Sequence, residues 1–303
     1  MALPAYASLG ERILHTLYLL VCALIFLFLI LPVLIIIPLS FNAEPYFSFT
    51  EGMMRFDRDA YSLRWYKDIF TNGMVNPLES DSAKWWADTW NNGQWIRAAR
   101  NSFFIAISST LIATALGTLA ALGLSRPEMP ARSLITSLLI SPMIVPLVIT
   151  ATGMFFFYSD IGLAKTYAGV IFAHVTLGVP FVIITVTATL VGFDRSLIRA
   201  SQNLGASGWT TFRKVIMPLI APGMISGALF AFVTSLDEIV AVLFLADVEQ
   251  RTIPRQMWSG IREQISPTIL AVATVLVMLS IVLLTVVEML RRRGERLRGI
   301  TPA

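Results

Sequence analysis

Two adjacent carboxylates, Asp237 and Glu238, lie inside an apolar run from Leu219 to about Leu245. A charge near the centre of a bilayer costs about 2.5–3.5 kcal/mol on insertion scales, so two neighbouring acids are poor candidates for facing lipid. Together with Ser235 they suit an aqueous vestibule that meets a cationic solute. The plainer alternative is that they pair with an arginine such as Arg251 or Arg255, or reach the outer interface. From Leu219 to Asp237 is roughly 27 Å of helix at 1.5 Å per residue. This places the acids toward the outer end of the run if the termini are inside.

Other residue types that could carry chemistry are scarce. Cys22 is the one cysteine and sits in an apolar stretch, which suits a small buried hydrophobe. His15 and His174 lie on different segments, so no zinc spacing and no Ser/His/Asp set can be assembled. His174, within an apolar run, reads as a hydrogen-bonded packing residue. No Gly-x-x-x-x-Gly-Lys-Ser/Thr phosphate loop occurs. No catalytic residue, metal ligand or cofactor site is assigned to this chain, and if ATP drives transport a partner must hydrolyse it.

The elements that must position these residues are membrane helices. Of 303 residues 56% are hydrophobic and 14% charged, with a mean hydropathy of +0.72. Soluble domains run about 25% charged. Six apolar runs reach the length of about 20 residues needed to span a bilayer. They are Thr16 to Leu39, Ser102 to Leu124, Leu134 to Phe157, Tyr167 to Val191, Leu219 to about Leu245, and Thr268 to Leu290. The first is too long for a signal-peptide core and is read as retained. Pro142 and Pro146 interrupt the third and Pro180 the fourth, which suits either cavity-lining breaks or plain kinks. Gly223 and Gly227 give a small-xxx-small spacing that permits close helix contact.

The long join from Asn42 to Arg100 carries Trp65, Trp85, Trp86, Trp90 and Trp95 and is expected to form short interfacial helices. An even number of spans puts both termini on one side. With the long first loop set aside, basic residues gather on that side, above all the C-terminal cluster Arg291, Arg292, Arg293, Arg296 and Arg298. The termini are therefore read as cytoplasmic.

The join from Gly192 to Pro218 is polar and carries its own helix signals. Asp194 can cap a helix beginning at Arg195, and Gly205 can end it in the left-handed conformation. Ser207 can cap a second helix bearing Trp209, Phe212, Val215 and Ile216, with Pro218 marking entry into span five. Small residues Ala200, Ser201, Gly205 and Ala206 leave a surface that another protein can approach, with Trp209 and Phe212 as apolar anchors. An amphipathic linker lying on lipid headgroups is the competing reading.

Here the sequence resembles the membrane permease subunits of binding-protein-dependent ABC importers. Their signature is Glu-Ala-Ala, three residues, Gly, nine residues, Ile, one residue, Leu-Pro. The frame falls on Arg199-Ala200-Ser201, Gly205, Val215 and Met217-Pro218 with the spacing kept. Arg199 replaces the Glu, Ser201 the second Ala and Met217 the Leu. The resemblance covers about Trp95 to Arg291. It includes Asn101-Ser102, Ser235-Leu236-Asp237-Glu238, and Thr252-Ile253-Pro254 followed by Pro267. The Ser-Leu-Asp-Glu stretch looks most like the spermidine/putrescine branch.

The resemblance implies an all-α integral membrane protein of six transmembrane helices, with a cytoplasmic helix–Gly–helix coupling segment between spans four and five. Residues 1–95 would hold the first span and a periplasmic loop, 96–291 the permease domain, and 292–303 a basic tail. It also implies a second permease chain, two copies of a cytoplasmic ATPase holding ATP and Mg, and a periplasmic solute-binding protein. Two rivals are weighed against it. An ion-gradient-driven secondary transporter should show paired repeats with similar broken helices, and none is evident. An intramembrane enzyme using Asp237 needs a second membrane acid in a suitable motif, and none is found.

Overall fold

The computed structural model describes residues 8–126, 128–191, 194, 196–263 and 266–297. Gly192, Arg195 and Arg298, named above for the coupling segment and the basic tail, lie outside them. The described residues are helices and loops, with one isolated antiparallel bridge between Asn42 and Tyr61.

Helix α1 (Leu9–Leu39) begins at a capping box. The Ser8 hydroxyl accepts from the Glu11 N–H, and the Glu11 carboxylate accepts from the Ser8 N–H. Its apolar side chains are exposed along nearly the whole length, as expected of a helix whose solvent is lipid. The following loop folds into three short helices, α2 (Glu51–Met54), α3 (Arg64–Thr71) and α4 (Ser82–Asn92). Asn42 ties the first part together by donating to the carbonyls of Tyr46 and Ser48, while its own carbonyl accepts from the Trp65 indole N–H at 2.7 Å.

Helix α5 (Gln94–Leu124) precedes a broken pair, α6 (Arg132–Ile144) and α7 (Leu147–Asp160), bent by 102°. The apolar run from Leu134 to Phe157 is thus not one straight helix. Pro146 stands at the break because it cannot donate to the carbonyl four residues back and biases Val145 to the extended backbone found there. Pro142 and Pro180 stay inside helices. Helix α8 (Tyr167–Val191) has the bounds read from sequence. Beyond the coupling segment come α11 (Met217–Asp237), α12 (Val240–Leu245), α13 (Ile253–Glu263) and α14 (Thr268–Leu297); α9 and α10 belong to that segment. Among the described residues four helices, or five spans if the bent pair counts as one, are long and apolar enough to cross a membrane, and Thr268–Val282 is a shorter apolar stretch.

The contacts divide the chain into two compact units. One runs from Gly73 to Ser259; the other combines the described residues before 73 with those from 260 onward. In the first unit α5, α8 and α11 pack together around Ala113, Ala121, Val182, Val186, Ile220 and Ala231. Small residues set how closely they approach. A Cβ added at Gly227 would lie 2.8 Å from Val182 Cα, and one at Gly223 would strike Thr189 Oγ1. The glycine pair therefore serves packing of α11 on α8 within the chain.

In the second unit, Thr268 at the start of α14 donates to Asp68 of α3 at 2.6 Å.

Candidate functional site

The segment between α8 and α11 is built by local rules. Asp194 accepts from both the N–H and the hydroxyl of Ser196, at 2.8 and 2.7 Å, and opens α9 (Ser196–Asn203). Those bonds from Ser196 hold its carboxyl below the usual range, with the Arg199 charge a smaller pull in the same direction. Gly205, at φ +80°, closes the helix. The Ala206 N–H donates to the Ser201 carbonyl and the Gly205 N–H to that of Gln202, which is a Schellman closure. Only a residue at ease with positive φ fits there. Ser207 then caps α10 (Gly208–Thr211) by accepting from the Thr210 N–H.

The two helices are joined across the hinge by Ser201 and Thr211, whose hydroxyl oxygens lie 2.8 Å apart. Trp209 stacks on Phe212 with centroids 5.6 Å apart, yet remains 69% exposed. Arg199, Ala200 and Gly205 are exposed, and Ala206 and Val215 are partly so. Trp209 thus presents an exposed indole beside the small residues Ala200 and Gly205.

Past Thr211 the structure departs from the sequence reading. Two separate short helices followed by a fresh start at Pro218 were expected. Instead α10 runs into α11 through a π turn, Phe212–Ile216, and the whole from Gly208 to Asp237 is one helix of 30 residues. Pro218 lacks the N–H that would reach the Lys214 carbonyl, and the widened turn lies where that bond is lost. Val215, Met217 and Pro218 are thus parts of a continuous rod.

The other end of the rod also departs from expectation. The apolar run to Leu245 breaks after Asp237, and the backbone resumes as α12. Glu238 is buried, and its carboxylate accepts from the Ala241 N–H at 2.8 Å. This caps the new helix, which explains a break that apolar composition alone did not announce. Ser235 is buried too. Its hydroxyl lies 2.6 Å from His174 Nδ1 of α8 and accepts from the Ser109 hydroxyl of α5 at 3.2 Å. Asp237 alone of the three is exposed.

The alternative in which the acids pair with arginine does not hold among the described residues. Arg251 donates to Gln256 at 3.0 Å, and Arg255 donates to the carbonyls of Ala246 and Asp247 at 2.7 and 3.0 Å. Arg255 therefore closes the C-terminal end of α12, and its burial depresses the guanidinium below its usual value. Asn101 and Ser102 of α5, quoted in the resemblance, hold the loop that follows. Asn101 donates to the carbonyls of Glu249 and Arg251, and Ser102 accepts from the Ile253 N–H at 2.8 Å. Sequence reasoning missed the part played by Ser109 and Arg255. A serine and a cation give no periodic signal, and Ser109's partner Ser235 lies 126 residues along the chain.

The described residues thus form a helical protein with several apolar spans and a capped, glycine-hinged helix pair between α8 and α11. The chain belongs to the family of binding-protein-dependent transport system inner membrane components, whose model matches residues 113–296. It is a multi-pass inner-membrane transport component rather than a catalytic enzyme.

Among individual proteins it is 28% identical over 271 residues to the spermidine/putrescine transport system permease protein PotC of Haemophilus influenzae, covering 89% of this chain and 95% of that one. It is 27% identical over 258 residues to the putrescine transport system permease protein PotI of Escherichia coli, covering 83% and 82%. The fold matches a bacterial ABC transporter involved in import of the acidic polysaccharide alginate. The TM-score is 0.69 at 14% identity, over 94% of this chain and 99% of that one. At 14% identity that likeness speaks for fold alone.

Proposed function

We propose that this chain is a permease subunit of an ATP-binding-cassette importer for a polyamine-like or related cationic nitrogen compound. The observation that carries the reading is the near full-length similarity to PotC. In this reading Thr268–Leu297 supplies a sixth span, the bent pair counts as the third, and both termini lie in the cytoplasm. The chain pairs with a second, different permease. A periplasmic receptor delivers the solute, and two cytoplasmic ATPase subunits hold ATP and Mg.

The exposed surface from Arg199 to Phe212 is where the ATPase docks. Arg199 reverses the charge of the glutamate found there in the family, so the ATPase groove opposite it carries an acid or a neutral group. The Gly208–Asp237 rod is about 45 Å long at 1.5 Å per residue, so one body reaches from the docking surface to the acid stretch. Movement of the ATPase against Trp209 and Phe212 displaces that rod and changes access at Asp237. An exposed carboxylate in a membrane segment costs least where it faces water, so Asp237 is the group that meets a cationic solute.

Reconstitution with its partner subunits and receptor tests the reading. Spermidine or putrescine uptake should require ATP and persist when an ionophore collapses ion gradients. Uptake that survives ATP depletion and collapses with the ionophore would establish a secondary transporter instead.

A further inference from the structure

The four residues Ser235-Leu236-Asp237-Glu238 do not act as one patch. Ser235 and Glu238 are three residues apart and turn inward, whereas Asp237, about 200° around from Ser235 at 100° per residue, is exposed. The inward pair is held from two directions. His174 of α8 is 2% exposed, and its Nδ1 meets Ser235, which Ser109 of α5 also touches. Nε2 of that ring is buried without a hydrogen-bond partner among the described residues, so Ser235 is the imidazole's one polar anchor among them. On the far side of the break, Glu238 holds the first turn of α12 through Ala241. The last turn of α12 is held by Arg255, and by the Lys165 N–H donating to the Leu245 carbonyl at 2.8 Å. The helix break is thus fixed before Asp237 by buried polar bonds to α5 and α8, and after it by the local Glu238–Ala241 bond with Arg255 and Lys165 holding the far end of α12.

We propose that His174, Ser235 and Glu238 are positioning residues that lock the broken end of α11 and so present Asp237 to the aqueous path, while making no contact with the solute themselves. What Asp237 meets rests on the polyamine reading above; the lock itself does not. In this arrangement Glu238 works as a hydrogen-bond acceptor, so its charge is dispensable. A glutamine keeps an oxygen for the Ala241 N–H, and an asparagine at 174 can place a polar atom near the position of Nδ1.

The test uses the assembled transporter in membranes, with Cys22→Ser and Asp237→Cys. The reading is the rate at which a positively charged methanethiosulfonate reagent modifies residue 237. Glu238→Gln and His174→Asn should keep that rate within about twofold of the parent, because each retains a polar partner. Glu238→Ala and His174→Leu should shift it by about fivefold or more, on the scale of losing a helix cap or a buried hydrogen bond. If Glu238→Ala fails to assemble, the Asn and Leu variants at 174 still decide between the outcomes. Alanine and leucine variants that lower yield but leave the rate at the parent value would reduce the cluster to simple stabilisation. A glutamine variant as altered as the alanine one would make the charge, and not the cap, the active feature. A residue 237 that is unreactive in every background would remove the premise that it faces water. Failure of the intact transporter to take up polyamines would overturn the solute reading and leave the reactivity pattern standing.

Discussion

The two ends of the helix from Gly208 to Asp237 are built on opposite principles. At the N-terminal end, caps and a left-handed glycine shape an exposed surface, and almost every bond spans five residues or fewer. At the C-terminal end, buried polar atoms from α5, α8 and α11 meet across 61 and 126 residues of sequence. The first is an exposed surface, in the proposed reading the docking site, whose shape needs a backbone able to turn at Gly205. The second is a fixed seat in which side chains matter and the backbone break is their consequence. If the proposed docking holds, the exposed end would be the handle and the buried end the fulcrum.

The sharpest way to break this contrast is at Gly205. Proline cannot adopt φ +80°, and tryptophan adopts it only with strain. Gly205→Pro or Gly205→Trp should therefore leave membrane insertion normal and abolish co-purification of the ATPase. Co-purification at full yield would remove the docking claim. At the opposite end, Asp237→Asn should raise the KM for a cationic solute roughly tenfold, as expected from losing a charged contact worth about 1.5–3 kcal/mol. Unchanged uptake kinetics would sink the cation contact.

The rod between them can be probed at its π turn. Pro218→Ala restores a donor for the Lys214 carbonyl and should let the turn relax to α geometry. ATPase docking should persist while solute moved per ATP falls by roughly two- to fivefold, the scale of a mutation along a coupled element. Transport per ATP at the parent level would show that the joint has no mechanical part. Packing of the rod on α8 is tested by Gly227→Leu, whose side chain must enter space already held by Val182 and Thr185. Overpacking of this kind costs about 1–3 kcal/mol, read as a lower melting temperature in detergent.

The smallest effect is in the extramembrane loop, away from both ends. Asp88 accepts from the N–H groups of Asn76 and Val75 and from the Asn92 side chain. The bond from Asn76 is the largest cause of a carboxyl held below its usual value of 3.8. A lowered pKa means the bonds stabilise the loop above the unfolded value and are lost as pH falls through the folded one. Protection of the Asn76 amide against hydrogen exchange, taken relative to the intrinsic rate at each pH, should thus fall in acid, and Asp88→Asn should flatten that dependence.

Much of the architecture was legible because the physics that sets it is local. Apolar length marks a span wherever lipid is the solvent, and α8 has the bounds its composition gives. The Asp194 cap and the Gly205 turn were readable because each depends on a residue's own side chain or its own φ. The fusion of α10 with α11 was not readable. Proline ordinarily signals a helix start, and here a π turn absorbs the lost bond. The break at Glu238 was hidden for a different reason: an acid in an apolar run looks the same whether it faces a path or caps a helix.

By itself the sequence determined that this chain lives in a membrane, where its apolar runs lie, and that a glycine turn sits between α8 and α11, because apolar length, capping and positive φ are properties of residues in order. Tertiary structure alone decided which of the two acids faces outward and which is folded into the core. That choice depends on where Ser109 and His174 lie relative to Ser235, and sequence order does not carry distances across 126 and 61 residues.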